Sequence, residues 1–308
     1  MSSHAILVLG GTGTVGSRIV RQLSSYHSTA DSSSPSYHVL VASRTGSSSS
    51  SLDQPQNVQH VTFDWYNQDT WSNPFSASPV PIRSVYLIAP PSLDADRIMT
   101  SFVDFARERA ARRFVLQSAS SIEPGGPAMG KVHSYLRELG SRGELQWAVL
   151  RPTWFQQNFA DQPSHVKSIK EESKIYSATG EGKIPWVSAD DIAAVAVRAL
   201  TNEVPPNTEY LVLGPELLSY DETAGILSDV LGRKIVHVDL TADGLEQRHQ
   251  SFGMPENYSK MMSAMDTAIK FGFENRTNDV ILAVTGSAPR KFRDYALSAK
   301  EAWATGKQ

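Results

Sequence analysis

Three glycines spaced three apart, Gly10, Gly13 and Gly16, fall between an apolar run, Ala5–Leu9, and a pattern in which Val15, Ile19, Val20 and Leu23 share one helical face. A strand, a glycine turn and an amphipathic helix in that order constrain the fold more than any other stretch of the chain. Gly10 permits a tight turn, Gly13 lets the backbone approach a pyrophosphate, and Gly16 lets the helix pack closely on the strand. The helix N-terminus then points unpaired N–H groups at phosphate. Gly10, Thr12, Gly13, Thr14, Val15 and Gly16 are therefore expected to cradle a dinucleotide. The plainer alternative is a glycine turn without a ligand.

Further strands are expected at Val39–Ala42, Val58–Phe63, Val85–Ala89, Phe114–Gln117 and Gln146–Leu150. Helical patterns fall between them, one through Ile98, Phe102, Phe105 and Ala106, another ending at Leu136–Gly140. This alternation predicts an α/β fold with a Rossmann-type, doubly wound parallel sheet. Residues 1–151 form the dinucleotide-binding domain in this reading. Residues 152–308 form a smaller, mostly helical substrate-binding region, packed on the sheet's C-terminal edge, with the chain crossing back. That region carries a helix at 187–200 capped by Ser188, a strand at Tyr210–Leu213, and a helix at 219–232 ending on Gly232. A short strand at Ile235–Val238 and a helical stretch from 241 to about 275 complete it. The Ser-rich segments 24–38 and 45–57 read as surface loops.

The chain has 308 residues, a net charge of −3 and no cysteine. Disulfides, thiol nucleophiles and thiolate metal sites are excluded, and the charge balance gives no reason to expect nucleic acid as a partner. The eight histidines are scattered without metal-ligand spacing, so no metal is expected. No run approaches the ~18 apolar residues of a membrane helix, and the N-terminus shows no secretory signal pattern. A cytoplasmic protein, monomer or homodimer, with no membrane partner is the expectation.

The end of the second strand selects the dinucleotide. NAD sites often place a carboxylate there, whereas this chain has Ser43 and Arg44. An arginine there pairs with a 2′-phosphate and stacks on adenine, so NADP (NADPH) is the expected cofactor. Asp64, after the third strand, either meets the adenine amino group or caps a turn.

With GGTGTVG, SRTG and RPTWFQQNF taken together, the chain resembles the NmrA-like branch of the atypical short-chain dehydrogenases. GKVHSYL, ATGEGKIPWVSADDIAAVA and VTGSAPRKFRDYA support the resemblance, which runs from the first strand to the last helix. The Ser-rich loops depart from it. On GPAMGKVHSYL and LRPTWFQQNF it is most similar to the fungal ergot-alkaloid reductases. The resemblance implies that Ala89 and Pro90 lie along the cofactor. It also implies that the segment with Pro152, Thr153, Phe155 and Asn158 borders the nicotinamide.

A standard short-chain dehydrogenase protonates its carbonyl substrate with Tyr-x-x-x-Lys, and no tyrosine here has a lysine four residues later. The order is reversed at Lys131 and Tyr135, which would share one helix face. Ser118 ends the fifth strand, where the standard enzymes keep a catalytic serine. Lys131, Tyr135 and Ser118 are thus the candidates for catalysis. Ser118 and Lys131 are equally candidates for holding the cofactor, and Tyr135 for packing. Reducing a ketone creates an alkoxide that needs an acid, whereas hydride addition to an iminium neutralises a charge already present. Trp154, Phe155, Phe159 and Trp186 are candidate walls for an apolar substrate, or else core residues. Two functions follow. The first is an NADPH-dependent reductase acting on an iminium or conjugated C=C of a small apolar molecule, which the resemblance makes an alkaloid-like clavine intermediate. The second is a non-catalytic NADP-sensing regulator that binds a protein.

Overall fold

The computed structural model describes residues 4–25, 37–46, 55–92 and 94–304. Strands β1 (His4–Leu9), β2 (Tyr37–Ser43), β3 (Val58–Thr62), β4 (Ile82–Ile88), β5 (Arg113–Gln117) and β6 (Gln146–Pro152) form parallel pairs. With β7 (Lys174–Ser177), β8 (Thr208–Val212) and β9 (Val236–Asp239), the strands make two sheets. The larger sheet has the order β3-β2-β1-β4-β5-β6-β8, and β7 pairs with β9 in the smaller one. Strand order reverses between β1 and β4, the position at which a doubly wound sheet opens a ligand crevice.

Two compact units share the chain: Pro152 and the residues before it together with Ile192–Leu211, and Thr153–Asp191 together with Val212 onward. The first unit holds α1 (Gly16–Ser25), α2 (Asn73–Ala77), α3 (Ala95–Arg107) and α4 (Met129–Ser141). Its strands are near-continuous apolar runs, as expected where helices cover both faces of a parallel sheet. Leu7, Leu9, Val85, Leu87, Leu116 and Val149 are fully buried. Helix α3 turns Met99, Phe102, Val103 and Ala106 inward, the helical spacing expected of a core-facing stripe. Phe102 meets Phe63, Trp65 and Trp71 edge to face at 5.0–5.4 Å.

The second unit contains α5 (Asn158–Asp161), α6 (Pro163–Lys167), the start of α7 (Ala189–Thr201), α8 (Tyr220–Leu231), α9 (Ala242–Ser251), α10 (Glu256–Lys270), α11 (Val280–Thr285) and α12 (Phe292–Ala299). Ser188 Oγ accepts from Asp190 N–H at 3.2 Å, as expected of the cap of α7. Helix α8 begins in a reciprocal capping box between Ser219 and Glu222 and ends on Gly232 at φ +66°. The core of this unit is aromatic: Phe159 lies 5.0 Å from Trp186 and 5.2 Å from Phe292, and Trp303 Nε1 donates to the Phe159 carbonyl at 2.8 Å.

Three local expectations are corrected. The stretch from 241 to 275 is two helices, broken where Gly253 takes φ +84° and Pro255 denies the backbone a donor. Helix α1 runs through Ser25 and β2 starts at Tyr37, so the first Ser-rich loop is shorter than 24–38. Its remainder, with most of the second Ser-rich segment, lies outside the described residues. Strand β7 was not expected, because its four residues KIYS show no run or alternation to mark them.

Candidate functional site

Parallel pairing brings the carboxyl ends of β1 to β6 to one edge of the sheet, and the predicted cradle starts there. Gly10 follows β1 with φ +63°, and a Cβ on it would sit 2.7 Å from Ile88 Cγ2. Gly10 O accepts from Gly13 N–H at 2.9 Å and closes the turn. A Cβ on Gly16 would lie 2.2 Å from that same carbonyl oxygen, so α1 can begin here only with glycine. A Cβ on Gly13 would meet only the Gly10 oxygen, at 3.2 Å, and Gly13 and Thr12 are exposed. Thr14 lends its carbonyl to Arg18, and Val15 is buried beneath the turn. The second glycine of the doublet, Gly11, escaped the sequence reading: a Cβ there would fall 2.7 Å from Val41 Cγ1, on the neighbouring strand.

At the end of β2, Ser43 Oγ accepts from Gly46 N–H at 3.1 Å and shapes a turn in which Arg44 is exposed. Arg44 makes no hydrogen bond or ion pair with the described residues. Asp64, after β3, accepts from Tyr66 N–H at 3.0 Å through Oδ1, and its backbone N–H is held by Thr70 Oγ1 at 2.9 Å. The carboxylate thus caps its own turn through Oδ1. Ala89 and the buried Pro90 follow β4 directly.

Ser118 follows β5, anchored by its N–H to the Leu150 carbonyl at 2.7 Å, and is buried. Its hydroxyl has no hydrogen-bond partner among the described residues. Two residues on, Ser120 lends its carbonyl to Arg151 Nη2 at 3.0 Å. Arg151 is buried on β6 between the carboxylates of Glu123 and Glu209, the latter 2.7 Å from Nη1. The clamp ties the loop after β5 to β6. An arginine ending an apolar strand, LRP, was its signal in the sequence.

Helix α4 carries Lys131 and Tyr135 on one face, and both turn toward α3. Lys131 Nζ pairs with Asp96 at 3.1 Å and is largely exposed. The Tyr135 hydroxyl donates to Asp104 Oδ1 at 2.6 Å. Burial, then Asp104, pushes its pKa up to about 12. The partners Asp96 and Asp104 lie eight residues, more than two turns, apart on α3, so Lys131 and Tyr135 are held by different carboxylates.

Pro152 ends β6 and Thr153 opens the second unit. Thr153 Oγ1 donates to the buried Glu274 at 3.0 Å, a pairing across 121 residues that no local motif announces. Trp154 and Phe155 are half-buried, and the chain through them pairs with Val187. Asn158 begins α5. Phe159 and Trp186 are fully buried in the aromatic core, which makes them packing residues and leaves Trp154 and Phe155 as the accessible aromatics of the expected walls.

The second unit also holds a partly open cavity of about 30 Å³, bordered by Trp154, His165, Tyr176, Tyr220, Arg248 and Asp266 among others. Burial, then His249 and Arg248, pushes His165 down to about 4. Burial raises Asp266 to about 7, against an opposing hydrogen bond from Ala178 N–H at 3.1 Å. Sequence reasoning missed Asp266, although an acid at the apolar spacing Met262, Asp266, Ile269 of α10 was a signal.

The NmrA-like family model matches residues 2–295. Festuclavine synthase II of Penicillium roqueforti is 43% identical over 304 residues, covering 97% of this chain and 99% of that protein. Agroclavine dehydrogenase of Claviceps fusiformis is 38% identical over 302 residues, covering 97% of this chain and 98% of that protein. Among solved structures, the Citrobacter triphenylmethane reductase complexed with NADP(H) superposes with a TM-score of 0.72 at 20% identity, over 96% of this chain and 99% of the other. That likeness is one of fold. Matched from its first strand to its last long helix, the chain belongs to the NmrA-like family.

Proposed function

We propose that the protein is an NADPH-dependent reductase that delivers hydride to the iminium, or a conjugated C=C, of a small apolar clavine-type alkaloid intermediate. The residues present fit the cofactor. The turn at Gly10, Gly13 and Gly16 offers an open face and an N-terminal helix turn to a pyrophosphate. Among the described residues Arg44 is exposed and uncommitted for a 2′-phosphate, and the Ser118 hydroxyl is buried without a partner. Ala89, Pro90, Pro152 and Phe155 border the bound dinucleotide in this reading. Lys131 is its ribose anchor, since an exposed pair such as Lys131–Asp96 is weak enough to be exchanged. NADPH supplies a hydride when bound.

One observation carries the choice of an iminium over a ketone: the tyrosine that shares a helix face with Lys131 gives its hydroxyl to Asp104. A ketone would need that hydroxyl for its developing alkoxide. An iminium needs only orientation and exclusion of water. Trp154 and Phe155 supply apolar walls and cation–π attraction to the cationic carbon–nitrogen bond. The relatives act on clavine alkaloids by name, which supports the substrate class. The test is NADPH oxidation followed at 340 nm with a cyclic indole iminium and with a ketone of the same skeleton. Turnover confined to the iminium is expected. Binding of NADPH without turnover of either compound would contradict the reading and favour a cofactor-sensing regulator.

A further inference from the structure

Asp266 is 6% exposed, yet among the described residues the only hydrogen bond to its side chain is one backbone N–H, that of Ala178 on Oδ2. No arginine, lysine or histidine pairs with it among the described residues. A buried carboxylate without a countercharge is costly, and folds retain such groups chiefly where they act on a ligand. It borders the cavity of the second unit together with Trp154, Tyr176 and Tyr220. Aromatic faces around a carboxylate are the chemistry that recognises an organic cation.

The charges facing this carboxylate come from every element around it. Asp239 on β9 adds a second negative charge, and the buried Tyr220 of α8 is held neutral. His165, within α6, is neutral near pH 7 through burial. His249 on α9 is also pushed down by burial, then by Arg248. Arg248 is the one cation lining the cavity among the described residues, and it is held by its neighbours: its guanidinium lies 3.6 Å over the Tyr176 ring and 3.7 Å from Glu172. Lys270 follows one turn later on α10 and lies along Gly180. Around Asp266 the lining is therefore acidic and aromatic, and Arg248 is engaged by the Tyr176 ring and Glu172.

We propose that this cavity is a recognition site for the cationic nitrogen of the substrate, with Asp266 as its countercharge and Trp154 and Tyr220 as its aromatic walls. The site rests on the reductase reading for the identity of the substrate but not for its existence. The cavity is small and open at its mouth, so a charged head such as an N-methyl group enters it. The ring system then projects from the cavity. Asp266 would select cationic over neutral substrates and fix which nitrogen substituent leads.

Calorimetry on the full chain saturated with NADP⁺ tests this with two probes of one shape, N-methylquinolinium and 1-methylnaphthalene. At pH 8 the cation is expected to bind about tenfold more tightly or better, the scale of a charged contact. Asp266→Asn should erase that preference while leaving NADPH affinity unchanged. Because the quinolinium charge does not titrate, its affinity in the wild type should rise from pH 6 to pH 8 as Asp266 ionises. Equal affinity for the two probes, no binding of either, a preference that survives Asp266→Asn, or a flat pH profile each overturns the site. Iminium turnover measured in parallel separates the two readings. Cation preference without turnover would overturn the reductase and leave the site standing. Turnover whose KM is indifferent to Asp266→Asn would do the reverse.

Discussion

The hydroxyl of Tyr135 donates to the Asp104 carboxylate at 2.6 Å, on the face of α4 that meets α3. Burial, and then this bond, raises the phenol's pKa to about 12. Tyr135 is therefore a poor proton donor near neutral pH. Tyr135→Phe is expected to lower kcat by less than about tenfold, well short of the ~10²–10⁴-fold lost with a general acid. It should also cost roughly 1 kcal/mol of stability through the lost hydrogen bond. Steady-state kinetics and chemical denaturation of the same variant check both values.

Gly13 and Gly16 should respond differently to a side chain. A Cβ on Gly16 collides with the Gly10 carbonyl at 2.2 Å, so Gly16→Ala must displace the turn and should lower both stability and NADPH affinity. A Cβ on Gly13 meets only one atom, at 3.2 Å. Gly13→Val should stay folded and lose dinucleotide binding, because its branches occupy the face offered to the pyrophosphate. Circular dichroism with calorimetry on both variants separates the effects. Unchanged NADPH affinity in a folded Gly13→Val would remove the cradle from the account.

Arg44 stands exposed after β2 with no partner among the described residues, so its substitution should leave the fold alone. Arg44→Asp removes a charge-assisted contact of roughly 1.5–3 kcal/mol and adds repulsion. The preference for NADPH over NADH should fall by about one to two decades, with NADH affinity unaffected or improved. Comparing KM for the two cofactors reads this directly.

The buried ionisable groups of the second unit predict opposing pH effects on stability. Asp266, raised to about 7, contributes fully below its ordinary 3.8, and that contribution is lost as pH rises through about 7. His165, lowered to about 4, contributes above its ordinary 6.5, and that contribution is lost as pH falls through about 4. Asp266→Asn should therefore melt above the wild type at pH 8, by about 2–4 °C per kcal/mol regained, and with it at pH 4. Calorimetric Tm values across that range provide the check.

The glycine turn and its flanking strand and helix were legible because the constraint is local: Gly10 needs its positive φ, and Gly16 needs contact with a carbonyl six residues away. The parallel strands were legible as apolar runs, and the caps at Ser188 and Ser219 as polar residues opening helices. What stayed hidden was set by tertiary contact. Thr153 reads as one more residue of a cofactor-bordering motif, and only the fold hands its hydroxyl to Glu274. Phe159 and Trp186 were candidates for pocket walls with core burial as the plainer alternative, because an aromatic side chain carries no mark of which surface will cover it. Lys131 and Tyr135 were correctly placed on one helix face. Their carboxylate partners belong to α3, which the spacing on α4 cannot report.

The central claim is that hydride reaches an iminium with no proton supplied by a side chain. Single-turnover oxidation of NADPH by a preformed N-methyl indole iminium, measured in wild type and in Tyr135→Phe and Ser118→Ala from pH 6 to pH 9, tests it most directly. The account predicts rates within about tenfold of one another at every pH. A thousandfold loss in either variant with NADPH affinity intact, or a wild-type rate that falls as an enzyme acid deprotonates, would contradict it.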